Sequence, residues 1–257
     1  MFQFEALTIA YFASLGLAAP FSGATWRRVV RIILLTAGVC LSVLLAVVRA
    51  PADVRMWLGH AYLATGYWLP ALLVQRGRTP RFESWLIRTD KVWRRYALSL
   101  PRWGIAALEL SYLLCYPAVP LAFAAVWTHA PDAGVDRFWV AVLMSGFVTY
   151  GCLPWLVSRP PRMLDEVARD EHVLGRFNAA MLRRVSHQLN TFPSGHVAVS
   201  VAAALSVLAV WAPAGAMLGL AAVGIAIGAV AGRYHYVVDV VLGVVVGIGC
   251  TCISMLL

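Results

Sequence analysis

Apolar runs of roughly helix-spanning length, separated by short polar stretches, fill this chain of 257 residues. A helix needs about 20 mostly apolar residues to cross the hydrocarbon of a bilayer. Eight segments approach that length: 4–20, 30–48, 56–75, 104–127, 138–157, 194–212, 214–231 and 236–257. The first is short enough to lie in the interface, and the third is interrupted by His60, Thr65, Gly66 and Pro70. Pro213 with Gly215 predicts a tight turn that folds the sixth and seventh segments into an antiparallel hairpin. No polar loop exceeds about 35 residues, so no soluble domain interrupts the series. The pattern therefore predicts an all-α, polytopic membrane helix bundle: a six-helix core over 56–257, preceded in 1–55 by up to two further transmembrane helices.

One polar stretch breaks the alternation. Between Arg76 and Arg102, the residues Phe82, Trp85, Leu86, Val92, Trp93 and Tyr96 recur at helical spacing among Arg88, Lys91, Arg94 and Arg95. A basic amphipathic helix near 81–97, lying in the headgroup plane, is the form such a pattern takes.

Composition strengthens the membrane reading. The chain is 61% hydrophobic and 13% charged, against about 25% charged in an ordinary soluble domain. Its net charge of +9 comes from arginine with a single lysine, Lys91. Such charge suits anionic lipid surfaces, and the basic residues lack the organisation of a nucleic-acid module, so no nucleic-acid partner is expected. Cys40, Cys115, Cys152, Cys250 and Cys252 lie in or at the ends of apolar runs, where a thiol packs as a small hydrophobe. The Cys250-x-Cys252 pair has no nearby histidine or further cysteine to complete a metal site. The first apolar run follows an acidic start, Met1 to Glu5, and so does not read as a cleavable signal peptide.

Three polar elements at the ends of apolar segments carry candidate chemistry. In Thr191-Phe192-Pro193-Ser194-Gly195-His196, Thr191 can cap and Pro193 suits a first helical turn. Ser194 and Gly195 would then present N–H groups to a phosphate, with His196 beside it as a proton donor. In Arg233-Tyr234-His235-Tyr236-Val237-Val238-Asp239, His235 and Asp239 are four apart on one helix face, so the carboxylate can orient the imidazole as a nucleophile. In Ser158-Arg159-Pro160-Pro161-Arg162, two prolines stiffen a loop carrying two arginines suited to phosphate oxygens. Helix counting places these elements and the basic loop on one face. Its excess of arginine reads as cytoplasmic by the positive-inside rule, although phosphate-binding residues would produce the same bias. Glu109, Tyr112 and Tyr116 share a face of the fourth segment and are candidates for a lipid entrance, while His60, His129, His172 and His187 have no partner at useful spacing.

The order arginine–proline element, Pro-Ser-Gly-His, His-x3-Asp resembles the membrane type-2 phosphatidic acid phosphatase superfamily over about residues 56–257. The resemblance implies an integral membrane lipid phosphatase that forms a phosphohistidine on His235, with Asp239 orienting it and His196 as general acid. It implies phosphate contacts from Ser194, Gly195 and an arginine among Arg159 and Arg162, a lipid phosphate as substrate, and neither metal nor cofactor. It further implies a bacterial-type inner membrane and an active site on the outer side, opposite to the charge rule. Two positions depart from the family pattern. The first-motif lysine is absent, its place being taken by Cys152 or Trp155, and Ala229 occupies the third-motif arginine's place, leaving Arg233 as a substitute. Pro-Pro-Arg with Arg-Tyr-His-Tyr is closer to the branch of inositol phosphorylceramide synthase and sphingomyelin synthase, so transfer of a phosphoryl headgroup is the alternative to hydrolysis, and a non-catalytic lipid-binding or transport protein a second alternative. Oligomeric state is not legible in the sequence.

Overall fold

The computed structural model describes residues 1–75, 79–99, 101–164, 176–178, 180, 181, 184, 186, 187 and 189–257; for Ala97, Leu98 and Arg102 this covers the backbone alone. Arg76, Arg78, His172 and the charged stretch from Asp165 onward to residue 175 lie outside the described residues. Among the described residues the secondary structure is helical, with one isolated bridge between Ser158 and Asn190. The helices are α1 (Gln3–Ala18), α2 (Trp26–Arg49), α3 (Ala52–Trp57), α4 (Gly59–Ala71), α5 (Pro80–Thr89), α6 (Lys91–Ser99), α7 (Arg102–Leu113), α8 (Cys115–His129), α9 (Ala133–Gly151), α10 (Gly195–Leu208), α11 (Ala212–Ala231) and α12 (Val237–Leu256).

Helix α9 forms the centre, with Phe138, Trp139, Leu143 and Phe147 buried among α1, α4, α10 and α12. A helix buried on all sides in this way is apolar all round. The outer helices instead present Leu41, Leu44 and Val48 on α2, Met217 and Leu220 on α11, and Val241 and Val245 on α12 to the surroundings. Exposed apolar faces of this extent belong against lipid.

The eight expected spans are not eight continuous helices. Four are long and apolar enough to cross a bilayer, α1 with its short extension (Gln3–Ser22), α2, α11 and α12, and α7 with α8 makes a fifth if the bent pair is one span. The first segment thus has the length of a span rather than only of an interfacial helix. The pair α7 and α8 bends by 44° at Leu114. Pro117 has no N–H to give the carbonyl of Leu113, and its ring crowds that oxygen, so the helix breaks one turn before the proline. The third segment is divided at Leu58 into α3 and α4. Gly59 at that break lies against the ring of Trp139, where a Cβ would collide. The expected turn at Pro213 and Gly215 is displaced as well: the chain turns at 209–211, and Pro213 sits in the first turn of α11, where its missing N–H costs no hydrogen bond.

Helix α1 is fastened to the centre through its N-terminus. Oδ2 and Oδ1 of Asp136 on α9 accept the backbone N–H groups of Gln3 and Phe4, each at 3.0 Å, a carboxylate placed where the helix dipole is positive. Buried Glu5 receives Nε and Nη2 of Arg55 at 2.8 and 2.6 Å. The N-terminal helices therefore pack as part of one bundle with the core.

Helix α10 has 14 residues and rises about 21 Å at 1.5 Å per residue, short of the roughly 30 Å of hydrocarbon. It packs closely against α12 because Gly243 and Gly247 line the contact. A Cβ on either would stand 2.8 Å from the Ser194 carbonyl oxygen or 2.6 Å from that of Ala198. Small residues four apart allow backbones to approach this way in membranes. That approach brings Pro-Ser-Gly-His and His-x3-Asp together.

Candidate active site

The loops joining α4 to α5, α9 to α10 and α11 to α12 converge at one end of the bundle. Between them lies a pocket enclosing about 470 Å³ of empty space, partly open to solvent, whose lining includes Arg162, Thr191, His196, Tyr234 and His235. His235 and His196 thus share one cavity, their ring centroids 6.0 Å apart. Tyrosines wall His196: Tyr112 stacks on Tyr234 at 4.2 Å and 5°, and Tyr112 and Tyr116 approach His196 at 5.7 and 6.5 Å.

His235 is held from behind. Its Nδ1 lies 3.5 Å from Oδ2 of Asp239, one helical turn on. Asp239 is fully buried, and Oδ2 accepts Nδ2 of Asn190 at 2.8 Å and the backbone N–H of Tyr236 at 3.1 Å. Those two donors fix the carboxylate beside the ring. Asn190 also donates to the Ser158 hydroxyl at 3.0 Å, and so ties the loop after α9 to the head of α12. The polypeptide adds a direct link, since the Ser194 N–H donates to the Asp239 carbonyl at 2.9 Å.

The start of α10 uses much of its own polar capacity internally. The helix starts later than the sequence suggests, with Ser194 rather than Thr191 at the N-cap position and Pro193 ahead of the first turn; Thr191 Oγ1 still accepts the Gly195 N–H at 3.2 Å. The Ser194 and Gly195 amides therefore already have acceptors inside the protein, and neither residue lines the pocket. Ser194 Oγ and His196 Nδ1, in contrast, are buried without a hydrogen-bond partner. Gly195 is required by packing: an added Cβ would collide with the Tyr150 ring and lie 3.1 Å from the Thr149 hydroxyl. Gly195→Ala should cost about 1–3 kcal/mol by overpacking, read as a lowered unfolding temperature in detergent; an unchanged temperature would show that Tyr150 yields freely.

The two loop arginines separate. Arg162 lines the pocket with its guanidinium 5.1 Å from the centre of the Tyr234 ring, a cation–π distance. Arg159 points outward, 60% exposed, and is bound through N, Nε and Nη2 to Glu83 at 2.9–3.0 Å. Hydrogen bonding from Arg159 holds the Glu83 carboxyl below its ordinary range. Arg233 does not line the pocket either. It is buried, has φ 60°, and its guanidinium is paired with Asp90, while its carbonyl accepts the Arg162 N–H at 2.8 Å.

The basic amphipathic segment expected near 81–97 forms two helices, α5 and α6, and it grips all three elements of the site. Glu83 holds Arg159; Phe82 and Trp85 meet Phe192 at 5.0 and 6.2 Å. Asp90, at the joint of the two helices, pairs with Arg233 and accepts the Val237 N–H at 3.3 Å. Asp90 is 2% exposed. Sequence reading missed Asp90, Glu83 and Asn190; a lone carboxylate at a break in an amphipathic run was the signal for Asp90. Asp90→Asn keeps an acceptor for Val237 but leaves Arg233 buried with weaker compensation, which is destabilising. The expected result is a lower unfolding temperature with kcat reduced roughly 10-fold at little change in KM, since a small displacement of positioned groups is costly. Unchanged kcat would show that the hairpin does not position the site.

His187 sits at the edge of the pocket, its ring stacked on Tyr67 at 4.2 Å with Nδ1 accepting the Leu189 N–H at 3.1 Å. Burial pushes its imidazole down to about 4 from 6.5. The folded state thus binds its proton less readily than the unfolded chain, so this group's contribution is present above about pH 6.5 and lost as pH falls toward 4. The unfolding temperature should fall across that window, and less steeply in His187→Gln; equal slopes would remove His187 as the cause. His60 and His129 stay apart from the pocket, packed on Trp139 at 4.7 Å and on Trp211 at 4.2 Å.

A second cavity, a partly open hollow of about 950 Å³ counting its mouth, adjoins His196, and its lining includes His60, Leu63, Cys115, Tyr116, Val119 and Val199. Glu109, expected beside Tyr112 and Tyr116, lines neither cavity. Among the described residues no cluster of three His, Cys, Asp or Glu has the arrangement of a metal site. Residues 137–257 match the model of the PAP2 superfamily. No curated protein and no solved structure matches the chain.

Proposed function

We propose that the protein is an integral membrane phosphatase of lipid phosphates that works through a phosphohistidine on His235. The observation that carries this reading is the meeting of His235, backed by Asp239, with His196 and Arg162 in one pocket beside an apolar cavity. The PAP2 match supports an enzyme of the phosphatase or phosphotransferase kind acting on lipid phosphates.

Because Nδ1 of His235 faces Asp239, the attacking atom is Nε2. It forms a bond to phosphorus as the bond from phosphorus to the lipid oxygen breaks, and His196 gives that oxygen a proton. Arg162 neutralises charge on the transferring oxygens, as fixed donors do in phosphoryl transfer. A water then attacks phosphorus, His196 takes its proton, the P–N bond breaks and inorganic phosphate leaves. Ser194 Oγ, buried and unpartnered next to His196 in the chain, is a further candidate donor to a phosphate oxygen. The lipid tail lies in the adjoining apolar cavity. No metal is invoked.

A second reading has one specific support. The apolar cavity reaches His196, so a lipid alcohol can arrive where water would attack and accept the phosphoryl group. The likeness of Pro-Pro-Arg and Arg-Tyr-His-Tyr to the inositol phosphorylceramide synthase branch favours the same outcome. Purified protein in detergent with chelator, given phosphatidic acid or polyprenyl diphosphate labelled in the terminal phosphate, distinguishes them. Label in inorganic phosphate supports hydrolysis, label in an added lipid alcohol supports transfer, and label left wholly in the substrate would reject both.

A further inference from the structure

A third cavity lies outside the site just described, between the start of α2 and the end of α4. It holds about 950 Å³ of space, partly open, with Arg28, Arg31, Trp68, Leu72, His187 and Leu189 in its lining. Arg28 and Arg31 are one turn apart on α2 and so share a face. Arg28 makes a single long contact, 3.5 Å to the Val74 carbonyl, and Arg31 has no acceptor among the described residues. Among the described residues no carboxylate lines this cavity. Two guanidinium groups with donors to spare thus line a cavity whose other described residues, His187 apart, are mostly apolar.

Snorkelling anchors of a membrane helix also carry arginine at their ends. Arg28 and Arg31 are exposed as such anchors are, but both also line this partly open cavity together with Trp68 and Leu72. The ligand that matches cationic forks beside apolar surface is a phosphate ester carrying acyl chains. Helix α2 is a span of mean hydropathy 2.5 that begins at Trp26, which puts Arg28 and Arg31 at headgroup depth.

The cavity is joined to the catalytic pocket. Leu189 lines both. His187, in the cavity, stacks on Tyr67, in the pocket, and Tyr67 shares a hydrogen bond of 2.9 Å with Ser186. One residue beyond Leu189, Asn190 holds Asp239. We propose that this cavity is a second phosphate-headgroup site, occupied by an anionic phospholipid that is not the molecule undergoing reaction, and that its occupancy steadies His187, Leu189 and Asn190.

The experiment uses the full chain in bilayer nanodiscs containing a phosphatidylglycerol with a photoreactive acyl chain, labelled peptides being mapped by mass spectrometry. The expected result is labelling of the segment around Trp68 to Val74, reduced at least tenfold in the double variant Arg28→Gln, Arg31→Gln and retained in His235→Gln. Trp68→Ala, which removes apolar wall but no charge, should reduce labelling less than the double variant. Undiminished labelling in the double variant, or labelling confined to the catalytic cavities, overturns the proposal. Competition by inorganic phosphate but not by unlabelled phosphatidylglycerol would place a free anion at the arginines and overturn the lipid assignment. Retention in His235→Gln separates this site from the catalytic reading, which can fail while the labelling stands.

Discussion

His235→Gln should abolish phosphate release, lowering turnover on the order of 10⁴-fold or more, because the residue would form the covalent bond to phosphorus and no other group in the pocket can replace it. Glutamine preserves volume and polarity, so the bundle should unfold at nearly the wild-type temperature. The buried ring would lose its 3.5 Å approach to Asp239, which is longer than a hydrogen bond of ordinary length. A trapped intermediate offers an independent check. Rapid quenching of wild-type protein with labelled substrate should leave acid-labile, base-stable label on the protein, and the variant should show none. Turnover of His235→Gln within a few-fold of wild type would end the phosphohistidine mechanism.

Replacing Arg162 by alanine should reduce turnover about 10²- to 10³-fold, the usual consequence of removing one fixed charge from a site of phosphoryl transfer. Arg159→Ala should change it by less than about threefold, since an exposed ion pair such as Arg159 with Glu83 contributes little. The contrast is informative because the two residues are three apart in one proline-rich loop and equivalent in sequence. Pro160 and Pro161 turn the chain between them, so that Arg159 is caught by Glu83 outside while Arg162 faces the tyrosine-lined pocket. The structure separates two residues that family resemblance left interchangeable. Equal losses in both variants would mean that Arg159 leaves Glu83 to meet substrate. A large loss only in Arg159→Ala would reverse the assignment.

The reach of the sequence differs from element to element. Segments such as α2, α11 and α12 were legible because their apolar residues run unbroken for the width of a bilayer, a property of each segment by itself. The fourth segment was legible as apolar but not as two pieces, since the bend at Leu114 depends on how neighbours accommodate Pro117. Helix α10 read as a full span and is 14 residues long, because its polar start and its end at Leu208 are set by packing against α9 and α11. Asp90 escaped notice since an acidic residue in a basic loop ordinarily faces water; only the approach of the α11–α12 loop gives it Arg233 and Val237 as partners. Asn190 escaped for a related reason, adjoining a recognised motif with no spacing rule to connect it to Asp239.

What this chain's sequence determined alone is local: apolar length, the four-residue spacing that sets Asp239 beside His235, and the residue types suited to phosphate. Those follow from spacing along the chain and from side-chain chemistry, neither of which needs a neighbour. Tertiary structure decided which arginine faces the pocket, that His196 meets His235, and that α5 and α6 clasp the site. Each of these is a contact between residues far apart in the chain, made by close helix packing at Gly243 and Gly247, and no periodicity within a single segment encodes it.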